Sequence, residues 1–389
     1  MFRQTLAILG MFMSAWGLGQ QPDPRRLLMT QYTIRLEIKS LPQNTHDGAK
    51  IYVAGSFNGW NAKDSEYRFS RDEKGNYFII MTLAQGTYEY KITRGGWERT
   101  ECKADGTSSE NRILKVHDHE TVELVIEEWA DHFPAKPTKK STAGENVRIV
   151  DTAFFMPQLG RKRRVWIYLP KEYKSGTASY PVLYMQDGQN IFDDATAFAG
   201  EWKVDEYLDN IQTGKIIVVA IDNGDKKRMT EYNPYDNEKF GKGEGKKYAD
   251  FLVKTLKPFI DKKYRTLKDK SNTFIAGSSM GGLISFYTLL KYPTVFGGAG
   301  IFSPSFWIAP SIYKDIQKKG GAVHSNIYFY CGKDEGDTMM EDMLKAIEAL
   351  QTVSKSNIKS DIRADGKHNE ASWLKEFPLF HEWIIGNEK

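Results

Sequence analysis

From Val147 onward the chain alternates between two rhythms, and that alternation restricts its fold more than any other feature. Short apolar runs read as strands: "RRVWIYLP", "YPVLYMQDG", "KIIVVAIDNG", "NTFIAG", "GGAGIFSPS", "NIYFYCG" and "SDIRADG". Between them lie stretches with helical spacing. In "KKYADFLVKTLKPFIDKKY" the apolar positions are Tyr248, Phe251, Leu252, Leu256, Phe259 and Ile260. "LISFYTLLKYP", "MMEDMLKAIEALQ" and the closing "WLKEFPLFHEWII" follow the same period. Strands that alternate with helices predict a mostly parallel sheet covered on both faces, so residues 147–389 are expected to be α/β.

Residues 31–128 read differently. "YTIRLEIKS" and "AKIYVAGSF" alternate, and "NYFIIMTL", "GTYEYKITRG" and "TVELVIEEW" follow. Turn signals at Asn58-Gly59, Lys74-Gly75 and Asp105-Gly106 separate the runs. Short strands at this spacing predict an antiparallel β-sandwich. Residues 129–146 then hold two prolines, three lysines and small polar residues, the composition of a linker. A chain of 389 residues exceeds the usual single domain, which agrees with two units.

The first twenty residues stand apart. Arg3 is followed by an apolar run from Leu6 to Leu18, with small residues at Gly17 and Gly19. This is the pattern of a secretory signal peptide, 1–20, too short and too soon polar for a good spanning helix. An uncleaved N-terminal anchor is the other reading. A secreted or periplasmic protein is expected, with no stable membrane span. Export permits disulfides, yet Cys102 and Cys331 are the only cysteines and are expected to lie in different domains. Cys331 ends an apolar strand and reads as a buried free thiol. The net charge of +4 is small, and no basic block suits a nucleic acid.

The stretch "IAGSSMGG" carries the chemistry. Gly277-Ser278-Ser279-Met280-Gly281 fits G-x-S-x-G between a strand and a helix. A sharp strand-to-helix turn puts Ser279 in a strained conformation that its glycine neighbours make possible. The serine then meets free N–H groups and the positive end of the helix dipole. The Met280 N–H is placed to hold an oxyanion. Ser278 is the other serine, without the flanking-glycine symmetry.

A serine needs a base, and in this architecture the chain order is serine, acid, histidine. His324 precedes a strand and so sits at the wrong end of the sheet. His381 lies inside the final helix. His368, in the loop "ADGKHNEASW", is where a base can reach over the strand ends. The acid should follow "NIYFYC", where Asp334, Glu335 and Asp337 compete and spacing does not choose. A second oxyanion donor is expected from "VLYMQDGQNIFDD", as the N–H of Gln189 after Gly188. Asp187, Asp193 and Asp194 in that loop lack the spacing of a calcium loop, and His117 and His119 read as a solvated turn. No metal or cofactor is expected.

The set "YMQDGQN", "EWKVDE", "RMTEY", "IAGSSMGG", "FSPSFW" and "GKHNEASW" resembles the putative-esterase family of α/β-hydrolases over about residues 147–389. That family holds esterase D-like, enterochelin, feruloyl and acetylxylan esterases and mycolyltransferases. The resemblance implies a serine hydrolase with a Ser–acid–His triad. Its G-x-x-D/E step maps onto Gly332 to Glu335 and favours Glu335, with Asp334 and Asp337 in reserve. Its second oxyanion donor maps onto Gln189. The lines "VAGSFNGWN" and "GTYEYKITRGGWE" resemble early-set, starch- and glycogen-binding sandwiches. Trp60 and Trp97 are then candidates to stack on sugar, although the Asn58-Gly59-Trp60 corner serves equally as packing.

The expected activity is therefore hydrolysis of a carboxylic ester through an acyl-enzyme on Ser279. The substrate would be a small-molecule or polysaccharide-linked ester of acetyl or feruloyl type. A siderophore trilactone is the alternative, where Arg228 and "GDKKR" would meet an anionic substrate. An inactive secreted carbohydrate-binding protein is the reading from another class. Asn190, Trp202, Arg228, Trp307 and Trp373 are the candidates for touching substrate, each aromatic ring being equally at home in a core. Water and a sugar hydroxyl stay open as acyl acceptors.

Overall fold

The computed structural model describes residues 30–133, 139–238, 240–333, 335–336 and 338–386. The expected signal peptide lies outside them. The chain divides into two compact units.

The first unit runs to Trp97 and resumes over Ser109–Glu128. Its four-stranded sheet has the order Ser70–Arg71, Tyr77–Ala84, Gln31–Ser40, Glu120–Val125. A three-stranded sheet joins Tyr52–Gly55, Gly86–Thr93 and Arg112–Val116. Alternate residues Ile34, Leu36 and Ile38 are buried, and Leu36 faces Ile79 across an antiparallel pair. The expected antiparallel pattern breaks once. Gln31–Ser40 pairs in parallel with Glu120–Val125, joining the first strand to the last. The "FNGWN" corner is structural at Asn58, which accepts from the Gly55 N–H at 2.9 Å and donates to Val53 O at 3.2 Å. Gly59 and Trp60 take the left-handed turn, at φ 63° and 59°.

The second unit holds Glu98–Ser108 and the chain from Trp129. Residues 98–108 thus leave the sandwich expected over 31–128. Glu101–Cys102 pairs with Glu128–Trp129 as a two-stranded ribbon, and the Trp129 ring is fully buried.

The main sheet of this unit has eight strands: β1 Val147–Met156, β2 Arg161–Tyr168, β3 Val182–Gln186, β4 Ile217–Ile221, β5 Thr273–Ser278, β6 Gly298–Phe302, β7 Asn326–Gly332 and β8 Asn357–Arg363. Their order is β1-β2-β4-β3-β5-β6-β7-β8. β2 runs antiparallel to β1 and β4, and every other pair is parallel. Period-two alternation splits each central strand between two cores. Val182 and Tyr184 pack on one face with Leu283, Ile284 and Phe286. Leu183 and Met185 pack on the other with Trp373, Phe377 and Phe380. The principal helices are α1 Met280–Lys291, α2 Met339–Gln351 and α3 Glu370–Gly386. α1 is buried from Met280 through Leu290, which makes it the central helix against the sheet.

The end of the expected linker is tied down. Asp193 accepts from Ser141 Oγ at 2.8 Å, Glu201 from Thr142 Oγ1 at 2.9 Å, Asp205 from the Gly144 N–H at 2.7 Å, and Asp209 from Asn146 Nδ2 at 2.8 Å. Residues 141–146 therefore form a strap on the second unit. No helix of the described residues is long and apolar enough to cross a membrane. Cys102 and Cys331 are buried and form no disulfide, and both fall in the second unit rather than in different domains as expected.

Candidate active site

β5 delivers the chain to Ser279 at φ 58°, ψ −123°, and α1 begins at the next residue. Such a backbone is strained for a residue with a Cβ, and close packing around the turn holds it. A Cβ on Gly277 would lie 2.6 Å from the Gly281 backbone O, so that position requires glycine, and one on Gly281 would lie 2.9 Å from Asp187 Oδ2 and crowd that carboxylate. The Ser279 N–H donates to Phe302 O at 2.9 Å, and its carbonyl accepts from the Ser305 N–H at 3.1 Å. Ser278 is buried, while Ser279 is partly exposed. The Ser279 hydroxyl lies 3.1 Å from Ser305 Oγ. Among the described residues it makes no bond to His368, and apo serine–histidine pairs often close only with substrate.

His368 does meet an acid. Its Nδ1–H donates to Glu335 Oε2 at 3.0 Å. The other carboxylate oxygen of Glu335 accepts from the Gly332 N–H at 2.7 Å and from Ser303 Oγ at 2.9 Å. Ser303 in turn accepts the Trp373 indole N–H at 2.9 Å. The Glu335 side chain is fully buried, and the His368 ring stands edge-on to Trp373 at 5.1 Å. Gly332 and Gly366 press backbone on backbone, which brings the end of β7 against the histidine loop. Asp334 and Asp337, the reserve acids, lie outside the described residues.

The loop after β3 completes the constellation. Asp187 adopts φ 56° and is held by Arg228 through two bonds, at 2.7 and 2.9 Å, and by Asn223 Nδ2 at 2.8 Å. A Cβ on Gly188 would lie 2.8 Å from the Ile221 backbone, so glycine lets the loop cross β4. Among the described residues, neither the Gln189 N–H nor the Met280 N–H has an acceptor. Two backbone donors are thus without partners, one next to the strained serine in sequence and one in the loop after β3, and a buried carboxylate holds a histidine. These are the parts acyl transfer requires.

Residues 157–384, more than half of the chain, match the family model described as "Putative esterase". The chain belongs to this family. It is a carboxylic ester hydrolase with an α/β fold. Residues 43–122 match the model described as the glycogen recognition site of AMP-activated protein kinase. The esterase is 25% identical over 246 residues to the uncharacterized protein YbbA of Bacillus subtilis, covering 58% of this chain and 94% of that one. It is 30% identical over 210 residues to an endo-1,4-beta-xylanase/feruloyl esterase of Xylanibacter ruminicola, covering 52% of this chain and 27% of that protein. The enterobactin esterase FES of Shigella flexneri, solved in the presence of enterobactin, shares the fold. Its TM-score is 0.50 at 15% identity, over 92% of each chain.

The residues expected to touch the substrate of this esterase sort by burial. Trp202 and Trp373 are 3% and 4% exposed and pack on each other, with ring centres 5.7 Å apart. They offer almost no surface, and the expectation of substrate contact gives way to support, for Trp373 through Ser303. Asn190 is also buried, with Nδ2 on Glu370 Oε1 at 3.1 Å. Arg228 spends Nε and Nη2 on Asp187, which leaves one guanidinium nitrogen for anything else. Trp307 is half-buried, edge-on to Phe240 at 6.1 Å, and packs against the core on the α1 face of the sheet. Sequence reasoning missed Ser303, Ser305 and Glu370. Ser303 has a visible signal only in the structure, its φ of 43°. Asp193 and Asp194 serve the strap and Lys139, and His119 Nδ1 accepts from the Thr33 N–H. No cluster of metal-ligating side chains occurs among the described residues.

His381 is a packing histidine. Its Nε2–H donates to Gly214 O at 2.9 Å, so Nδ1 accepts the Tyr207 O–H at 3.1 Å. Burial pushes its pKa from 6.5 down to about 4, although the Gly214 carbonyl works the other way. The unfolded chain then binds the extra proton between these values. Stability present above about pH 6.5 is lost as pH falls towards 4, to the extent of about 3 kcal/mol. Urea unfolding at pH 7 and pH 4.5 is expected to show a smaller loss for His381→Gln than for the parent, by about 2 kcal/mol. Equal losses would show that His381 does not carry this dependence.

Proposed function

We propose that this protein is an exported serine esterase that cleaves esters attached to polysaccharide, of acetyl or feruloyl type, through an acyl-enzyme on Ser279. The observation that carries the reading is the strained Ser279 turn, read together with the Glu335–His368 pair. His368 Nε2 takes the Ser279 proton as Oγ bonds to the ester carbonyl carbon, Oγ having left Ser305 when substrate binds. The N–H groups of Met280 and Gln189 hold the oxyanion. The alcohol leaves with the proton from His368. Water then attacks the acyl carbon and gives its proton to His368, and Ser279 is regenerated.

The polysaccharide reading draws support from the glycogen-recognition match over residues 43–122 and from the feruloyl esterase relative. In the first unit Trp60 and Trp97 lie 6.2 Å apart, and Trp97 is 38% exposed, as a sugar platform requires. Trp60→Ala and Trp97→Ala are each expected to weaken binding of the full chain to soluble xylan or glycogen about tenfold. Unchanged affinity in both would remove the glycan site.

The deciding experiment is kcat/KM on short-chain p-nitrophenyl esters, acetylated xylan, methyl ferulate and a ferric catecholate trilactone. The polysaccharide-type esters are expected to lead. A leading trilactone would replace this substrate class with a siderophore. The bidentate commitment of Arg228 to Asp187 argues against that outcome.

A further inference from the structure

We propose that Glu370 is a positioning residue: through Asn190 it locks the loop presenting the Gln189 N–H to the loop carrying His368. The inference rests on the serine mechanism proposed above. Glu370 opens α3, two residues after His368, and is only 8% exposed. Its Oε1 accepts from Asn190 Nδ2 at 3.1 Å, across 180 residues of sequence.

Asn190 directly follows Gln189 and is 9% exposed, with its polar groups engaged. Oδ1 accepts the Phe198 N–H at 3.0 Å, and the carbonyl accepts the Trp202 N–H at 2.8 Å. On the other side of Gln189, Arg228 and Asn223 clamp Asp187. The oxyanion loop is therefore held at both ends, and among the described residues the Asn190 end is the one hydrogen-bonded to the segment bearing the base.

A buried carboxylate is costly unless its bonds are needed. Burial raises the Glu370 pKa, its own N–H and His368 lower it, Asp187 raises it, and Arg228 lowers it. An apolar residue would fill the same space without this cost but could not accept the Asn190 N–H. Gln189 is also held at its carbonyl by Thr196 Oγ1 at 2.8 Å and at Oε1 by the Asn223 N–H at 3.1 Å, so loss of the Asn190 bond shifts the Gln189 N–H relative to the base rather than releasing the loop. Misplacement on the ångström scale costs about a hundredfold in rate.

The test is a double-mutant cycle on the full chain with p-nitrophenyl acetate. Glu370→Ala and Asn190→Ala should each lower kcat about 10- to 100-fold with KM held within about twofold. The double variant should be no slower than the worse single, because both break the Asn190–Glu370 bond and Asn190→Ala already removes the Phe198 bond as well. Glu370→Gln should stay within about threefold of the parent, since its amide oxygen accepts the same N–H. An unchanged kcat in Glu370→Ala, additive losses, or a Gln variant as slow as Ala would overturn the clasp. If Glu370→Ala does not fold, Asn190→Ala and Glu370→Gln decide by the same criteria. Failure of the parent to label at Ser279 with a fluorophosphonate overturns the serine mechanism and the clasp with it. Normal labelling with an undiminished Glu370→Ala kcat overturns the clasp alone.

Discussion

Ser279→Ala is expected to lower kcat on p-nitrophenyl acetate by about a million-fold, with KM within a few-fold of the parent. In the proposed mechanism the hydroxyl oxygen is the atom that bonds to carbon, and no neighbour can replace it. Ser278 is buried, and Ser305 is 3% exposed with its hydroxyl turned to that of Ser279 at 3.1 Å. The residue left behind keeps the backbone turn, because alanine meets the same strain at φ 58° that serine does. Folding should survive, and a melting temperature within about 2 °C of the parent makes the kinetic loss interpretable. What remains is rate from the Met280 and Gln189 N–H groups and from substrate binding, about 10³-fold over water. Labelling by a fluorophosphonate should vanish in parallel. A variant that turns over like the parent would remove Ser279 from the mechanism.

Most of the second unit is legible because burial on both faces leaves a local trace. "VLYMQ" and "IVVAI" are apolar throughout, since each strand sends alternate side chains into two cores. The serine turn is legible for a similar reason. Its glycines answer to contacts within a few residues, Gly277 against Gly281. Features that depend on distant partners leave no such trace. The parallel pairing of Gln31–Ser40 with Glu120–Val125 joins segments that no hairpin signal connects. The polar composition of residues 141–146 suggests a linker, yet the carboxylates that receive it lie more than fifty residues on. Trp202 and Trp373 have the composition of a pocket wall, and only the packing of α3 on the sheet shows that they face inward. Glu370 and Ser303 hide for the same reason, as ordinary loop polar residues until Asn190 and Glu335 are beside them.

Glu335→Gln is expected to lower kcat by about 10⁴-fold, and the hydrogen bonds around the carboxylate explain why so small a change should cost so much. Oε1 accepts from the Gly332 N–H at 2.7 Å, a group that can only donate. In the glutamine variant the amide oxygen must keep that place, because an NH₂ there would put donor against donor. The amide NH₂ is then turned towards His368 Nδ1, 3.0 Å away in the parent. It donates where the carboxylate accepted, so the ring proton moves to Nε2. A ring protonated at Nε2 cannot take the Ser279 proton, and the imidazolium loses the charge that stabilised it. The side chain keeps its shape and its bond to Gly332, so a melting temperature near that of the parent should accompany the loss. Asp334→Asn and Asp337→Asn should each stay within about threefold, since the carboxylate that meets His368 is that of Glu335. A 10⁴-fold loss in either of these variants, with Glu335→Gln active, would move the acid to that residue and leave Glu335 as a structural anchor for the end of β7.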